Sequence, residues 1–415
     1  MIRVNTTKYL PYVLVPIAID TIEGAATFPI GNTTLWWIIE LSIILLLWSS
    51  TKYLFNRENK KSMVFINLYI VWIIFGFFHG LFMSDNYWDW KVLIDNTLML
   101  LLIILSYVAT NEEVVRIIIT NYLKFALPFF FLFAPFIYSM SFGEYLAPMS
   151  FLLFFLPVMK FKNKVFIIFF VLFVIISDLT ARSNVVKFGA PIILLSIYYL
   201  RFIIPQIFLE ILRWFLMLIP IVLFYLAIAG IFNPFDMDNY VSGEHTETKK
   251  DRAGNEVTES LTADTRTFLY QEVINSARIH NSWIIGRSQA RGNDTEAFGD
   301  WAEGITGRRE RSNNEVAILN IFNWFGIIGI LIYFIVFSSA SHLAIMHSNN
   351  IFSKMLGIFI AFRWTYLWVE DFHAFNLNNA MLFIMIGLCI SRSFRSLSNE
   401  DVKLWAQKIL NFRYL

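Results

Sequence analysis

The sequence predicts an all-α integral membrane protein of about twelve transmembrane helices with one large hydrophilic loop on its outer side. Three observations predict it. Of 415 residues, 57% are hydrophobic and 15% charged, whereas a soluble domain carries roughly a quarter charged residues. Apolar runs of about 20 residues, the length a spanning helix needs, recur along the chain. A single polar segment, 233–314, breaks that regime.

In chain order the apolar runs centre on 9–29, 33–53, 63–83, 91–110, 117–140, 143–160, 164–179, 185–204, 211–232, 315–337, 351–369 and 377–391. Asp20 and Glu23 weaken the first, and the seventh and twelfth are short. No small-residue cleavage site follows the first run, so it reads as a retained helix and not a signal peptide. Residues 1–232 thus carry nine helices, 233–314 the loop, 315–391 three more helices and 392–415 a tail. The lone Cys389 lies in an apolar run, which excludes an intramolecular disulfide and a cysteine-based metal site.

Orientation follows from lysine and arginine in short loops. Lys52, Arg57, Lys60, Lys61, Arg116, Lys160, Lys162, Lys164, Arg201 and Arg213 flank one side, as do Arg392, Arg395, Lys403, Lys408 and Arg413 of the tail. Short loops on the other side hold only Lys91, Arg182 and Lys187. Both termini are therefore expected in the cytoplasm, and the long loop in the periplasm of a bacterial inner membrane. Val402–Leu410 reads as an amphipathic helix lying on the cytoplasmic surface.

Ionisable residues inside spans are costly and face the bundle interior or a wet cavity. Asp20, Glu23, His79, Asp95 and Arg363 lie toward the outer ends of their spans. Glu40 lies roughly 10 Å below the outer end of its helix at 1.5 Å per residue. Their shared depth predicts an outward-facing cavity beneath the loop. Local pairing of each residue is the alternative.

The loop changes character midway. Residues 233–264 are acidic, with few large apolar side chains, which predicts a mobile segment. Asp236-Met237-Asp238 has the spacing of a metal-binding pair, but three residues are little to build on, and no metal site is expected. Asp264 is placed to cap a helix over 265–280, where Leu269, Val273 and Ala277 form a stripe. Asn281 and Gly286 end it. From Arg266 to Arg311 the loop has seven arginines and no lysine. Guanidinium groups bind phosphate oxygens bidentately, so this set suits a diphosphate. Arg266, Arg287 and Arg291 are the candidates; pairing with Glu272, Asp294, Glu296, Asp300, Glu303 or Glu310 is the competing use. His280 and His373 are candidate bases.

The order of these parts resembles the O-antigen polymerase and ligase superfamily of bacterial membrane glycosyltransferases. The resemblance rests on Leu179-Thr180-Ala181-Arg182-Ser183, on Arg266 opening the loop helix, and on Ile284-Ile285-Gly286. It rests also on Asn314–Leu319 leading to Gly326-Ile327-Ile328-Gly329. It implies a GT-C-like fold, a donor glycan on undecaprenyl diphosphate, and an acceptor sugar on another lipid-linked unit, with no cofactor. Ligases of this family carry a histidine where this chain has Glu315, which favours the polymerase branch. Implied catalytic residues are Glu315 as base, with Arg266 and Arg291 on the leaving diphosphate; Arg182, Arg287, His280, Glu40 and Arg363 would bind diphosphate or glycan. Membrane lipid and a chain-length regulator protein are the expected partners; nucleic acid is not. A ligase acting on lipid A–core is the near rival. A lipid-linked oligosaccharide flippase is the rival of another class, and it predicts a charged path through the inner half of the bundle.

Overall fold

The computed structural model describes residues 8–55, 57–177, 182–236, 240, 246–250, 256–260, 264, 266–371 and 373–411. It is built almost wholly of helices. Six stretches are long and apolar enough to cross a membrane: Thr33–Leu54, Val64–Met83, Tyr87–Val108, Glu112–Phe136, Gln206–Ile228 and Ala317–Met346. Each of the other six predicted runs is also helical, but shorter or interrupted. Leu14–Glu23 has ten residues. The 143–160 run divides among Phe142–Tyr145, Ala147–Leu153 and the 3-10 turn Leu156–Val158.

Burial orders the helices. Gln206–Ile228 turns Ile207, Phe208, Ile211 and Phe215 outward, the mark of a surface that meets hydrocarbon. In Leu377–Ile390 every residue is buried. This last bundle helix packs against Ala317–Met346, Ile351–Tyr366 and Leu105–Val108. Small side chains allow the approach: Ser106 donates to the Phe383 carbonyl (3.0 Å) and Ser391 to that of Thr110 (2.6 Å). Where the chain bends around Tyr122–Ala126, Tyr122 and Tyr145 satisfy freed carbonyls, at Tyr145 (2.8 Å) and Ala126 (2.6 Å).

One expectation changes. The amphipathic tail helix, Asn399–Ile409, does not lay its apolar face on lipid. Val402, Trp405, Ala406 and Ile409 are buried, the Trp405 indole donates to the Glu112 carbonyl (2.9 Å), and Gln407 donates to that of Val158 (2.7 Å). Protein covers that face because the bundle offers partners for its polar edge as well. In the acidic half of the loop, Thr246–Lys250 and Glu256–Ser260 pair as an antiparallel hairpin. Met237 and Asp238 of the metal-like motif lie outside the described residues.

Candidate active site at the loop face

The second half of the loop folds as a cap on the bundle. Its helix, Thr267–Ile279, buries Leu269, Val273 and Ala277 along the predicted stripe. Asp264 receives the amides of Arg266 (3.0 Å) and Thr267 (2.9 Å). Burial would raise this carboxyl, yet hydrogen bonds from Thr267 and Arg266 hold it below its ordinary value. The Tyr270 hydroxyl donates to the Trp368 carbonyl (2.6 Å), fixing the helix over the turn after Ile351–Tyr366.

Downstream, the chain dips into the bundle. Helix Ala317–Met346 is broken at Gly326, whose φ is 63°, a conformation side chains rarely adopt. The break frees backbone groups, and the loop takes them up. Ile327 and Ile328 donate to the carbonyls of Trp283 (2.8 Å) and Ile284 (3.3 Å); Arg287 and Ser288 donate to those of Asn323 (2.6 Å) and Trp324 (3.1 Å). Gly286, also at positive φ, faces Gly326 across this join; a β-carbon on either would fall 2.3 Å from backbone of the other strand. Irregular backbone inside a membrane bundle is tolerated where protein supplies the partners. Gln289 anchors the dip, donating to the Ile73 carbonyl (3.1 Å).

Arg287 and Arg291 serve this join. Arg287 is 6% exposed and binds Glu310 (2.9 Å), the Gly292 carbonyl (2.7 Å) and Ser276 (3.2 Å). Arg291 grips the same carboxylate with two nitrogens. Burial opposes ionisation of Glu310, but hydrogen bonding from Arg291 and the charge of Arg287 hold its carboxyl below the usual range. His280 lies behind this wall, 2.8 Å from Asp294. All three are engaged by carboxylates of the cap, and together they line a separate space of about 410 Å³ with His79 and Met83.

Arg266 and Glu315 behave differently. Their ion pair, at 2.5 Å, sits at the surface, with side-chain exposures of 23% and 56%. Glu315 also meets Arg311 at 3.3 Å. Arg266 contacts the Val369 carbonyl (3.5 Å), so it stands over the turn carrying Glu370 and Asp371. Beneath lies a cluster assembled from five helices and the turn between the last two. Buried Lys187 has Glu144, Glu370, Arg363 and Asp371 as charged neighbours. Arg363 donates to Asn378 (3.2 Å), and Asn376 to Glu144 (3.4 Å). Asp371 receives Asn320 (3.1 Å) and lies 2.9 Å from His373 Nδ1. Burial pushes the Glu370 carboxyl up, against the pull of Lys187 and Arg266. Tyr366 donates to the Ser183 carbonyl (3.5 Å), which brings exposed Arg182, next in the chain, to the same edge. Leu179, Thr180 and Ala181 of that motif lie outside the described residues.

On its other side Glu315 borders a cavity of about 880 Å³, lined also by Trp88, Lys91, Asp95, Trp301 and Arg311. Asp95 accepts the Trp37 indole (2.5 Å), and its charged neighbours include Asp20, Glu23 and Glu40. Of these acids only Asp95 lines the cavity; Glu40 is buried among the others. The outer-end polar residues divide into two groups, one beside the cavity and one around Lys187, with His79 apart from both.

Of the sequence candidates, Arg266 and Glu315 pair at the surface near Tyr366, which has buried Arg363 as a charged neighbour and holds the backbone of Ser183, next to Arg182; Glu40 lies with Asp20, Glu23 and Asp95; Arg287, Arg291 and His280 form a separate group. Sequence reasoning missed Glu144, Glu370, Asp371 and Asn320. The only signal for Glu144 is one acid in an apolar run, and for Glu370 and Asp371 a pair of acids between two predicted spans. Among the described residues, no group of three or more His, Cys, Asp or Glu side chains is placed to hold a metal ion. No protein-family model matches the chain, and no curated protein or solved structure matches it either.

Proposed function

We propose that the chain is a membrane glycosyltransferase that polymerises surface polysaccharide, transferring a glycan from undecaprenyl diphosphate to the acceptor sugar of another lipid-linked repeat unit. The reaction takes place at the loop face, which the distribution of lysine and arginine assigns to the periplasm. One observation carries this reading: the surface pair Arg266–Glu315 stands between a roomy cavity and a buried cluster holding Lys187 and Arg363.

The chemistry follows from exchange of partners. An incoming diphosphate offers Arg266 a bidentate, doubly charged ligand in place of Glu315. Binding therefore frees the Glu315 carboxylate at the place where the phosphate has docked. The acceptor hydroxyl attacks the anomeric carbon of the donor sugar, Glu315 takes its proton, and the C1–O bond to the lipid diphosphate breaks. Arg266 stabilises the charge developing on the leaving oxygen, and exposed Arg182, whose neighbour Ser183 is held by Tyr366, is assigned the same task. A single displacement inverts the anomeric centre. Trp88 and Trp301, lining the cavity, offer flat faces to sugar rings.

The flippase reading needs a charged path through the other half of the bundle. The charges placed there among the described residues include Glu210, Arg213 and His342, which are already satisfied by one another: Arg213 to Glu210 at 2.6 Å, and His342 to the same carboxylate at 3.0 Å.

Purified protein supplied with synthetic undecaprenyl-diphosphate-linked repeat units is expected to form polymer, and Arg266→Ala and Glu315→Gln to form none at normal protein level. Polymer of unchanged length from Arg266→Ala would sink the assignment. In a deletion strain, single-repeat glycans on the surface lipid support a polymerase; loss of all glycan with accumulated lipid-linked polymer supports a ligase.

A further inference from the structure

At the opposite end of the bundle, the ends of Gln206–Ile228, Ala317–Met346 and the short helix Arg392–Ser396 leave an open cavity of about 600 Å³. Its polar lining includes Gln206, His347, Arg392 and Arg395, and Leu343 and Met346 give it an apolar floor. Among the described residues no carboxylate lines it.

Arg395 is the informative member. It is 7% exposed, and it donates to the carbonyls of His347 (2.6 Å) and Ile390 (3.3 Å) while its Nε is buried without a partner. Burial holds its guanidinium below the ordinary value; Cys389 opposes this and Arg392 adds to it. Buried charges are normally paired, as Arg213 is with Glu210 and Arg287 with Glu310. Arg395 has a second cation beside it instead. The charge balance asks for an anion from outside the chain. Past Asn349, which lines both spaces, a second cavity of about 540 Å³ holds Arg201, Lys354 and Lys403 against the lone carboxylate Glu400.

The surroundings narrow the anion. Gln206 opens a helix whose next residues, Ile207, Phe208 and Ile211, are 50–60% exposed. Hydrocarbon-facing surface thus begins one residue from the basic cavity. A free oxyanion has no use for that apolar rim; an amphiphile with a charged head does.

We propose that this cavity binds the headgroup of an anionic glycerophospholipid, with Arg392 and Arg395 on the phosphodiester and the acyl chains along Ile207, Phe208 and Ile211. The site is independent of the loop-face chemistry. Thermal unfolding of the purified full chain in neutral detergent tests it, with phosphatidylglycerol, phosphatidylcholine or inorganic phosphate added. Phosphatidylglycerol is expected to raise Tm and the other two to leave it unchanged. In Arg392→Gln, whose side chain is exposed, that rise is expected to fall by half or more; in Arg309→Gln, the same charge change at the far face, it is expected to persist. Arg395→Gln, if it folds, should lose the rise altogether. Equal effects of the two lipids, an equal effect of phosphate, or an undiminished rise in Arg392→Gln would each overturn the proposal.

Discussion

Within one loop the same chemical pair is put to two uses. Arg287 and Arg291 hold Glu310 where all three side chains are largely hidden, at 6%, 14% and 12% exposure. Arg266 holds Glu315 where the carboxylate is more than half exposed. A buried pair cannot release its partner without leaving a charge uncompensated in a poor solvent. An exposed pair releases it at little cost, because water takes up both ends. Arginine content alone therefore does not mark an anion site; the removability of the counter-ion does.

The comparison breaks most readily at Glu310. Glu310→Ala leaves buried Arg287 without its carboxylate and is expected to cost about 3–5 kcal/mol, read as a large fall in Tm or loss of folded protein. Gly326→Ala tests the join that this pair fastens. Its β-carbon would meet the Ile284 carbonyl group at 2.3 Å, and positive φ alone costs roughly 1–3 kcal/mol; increased proteolysis within 283–292 is the readout.

Acid offers a graded version. The carboxyls of Glu310 and Asp294 are held below their ordinary values of 4.5 and 3.8. Groups with depressed folded values stabilise fully above the unfolded value and lose that contribution as pH falls through the folded one. Protection of the cap amides, relative to their intrinsic exchange rates at each pH, is expected to hold down to about pH 4.5 and to fall below it. In Glu310→Gln the Glu310 part of that dependence should vanish.

By contrast, Arg266→Ala should cost no more than about 1 kcal/mol in stability while abolishing polymer formation. A Tm fall as large as that of Glu310→Ala would place Arg266 among the fasteners. Least of all, Arg309→Ala is expected to leave Tm unchanged: its contacts with Asp300 (2.5 Å) and Glu303 (3.3 Å) are solvent-exposed.

What the sequence made legible was whatever repeats at short range. Hydropathy placed the helical runs, and Leu269, Val273 and Ala277 placed the loop helix with its buried face. Contacts between distant segments left no such trace. Nothing in the spacing of Gly286 and Gly326 says that they face each other. Glu310, 19 residues from Arg291, was one of six acids that could have paired with the loop arginines. Lys187 counted only as a loop charge until the bundle set Glu144, Glu370 and Asp371 around it. Position along each helix was readable, but azimuth around it was not. Residues of one predicted layer therefore separated into two groups.

The burial of Leu377–Ile390 bears on how the molecule is made. Translation delivers this helix after all the other bundle helices described, yet it fills their centre. Until it is made, the earlier helices lack the partner that Ser106 and their buried faces meet in the finished bundle. Closure of the bundle is then a late, single event, and a ribosome stalled before residue 377 would leave an assembly open to membrane quality control.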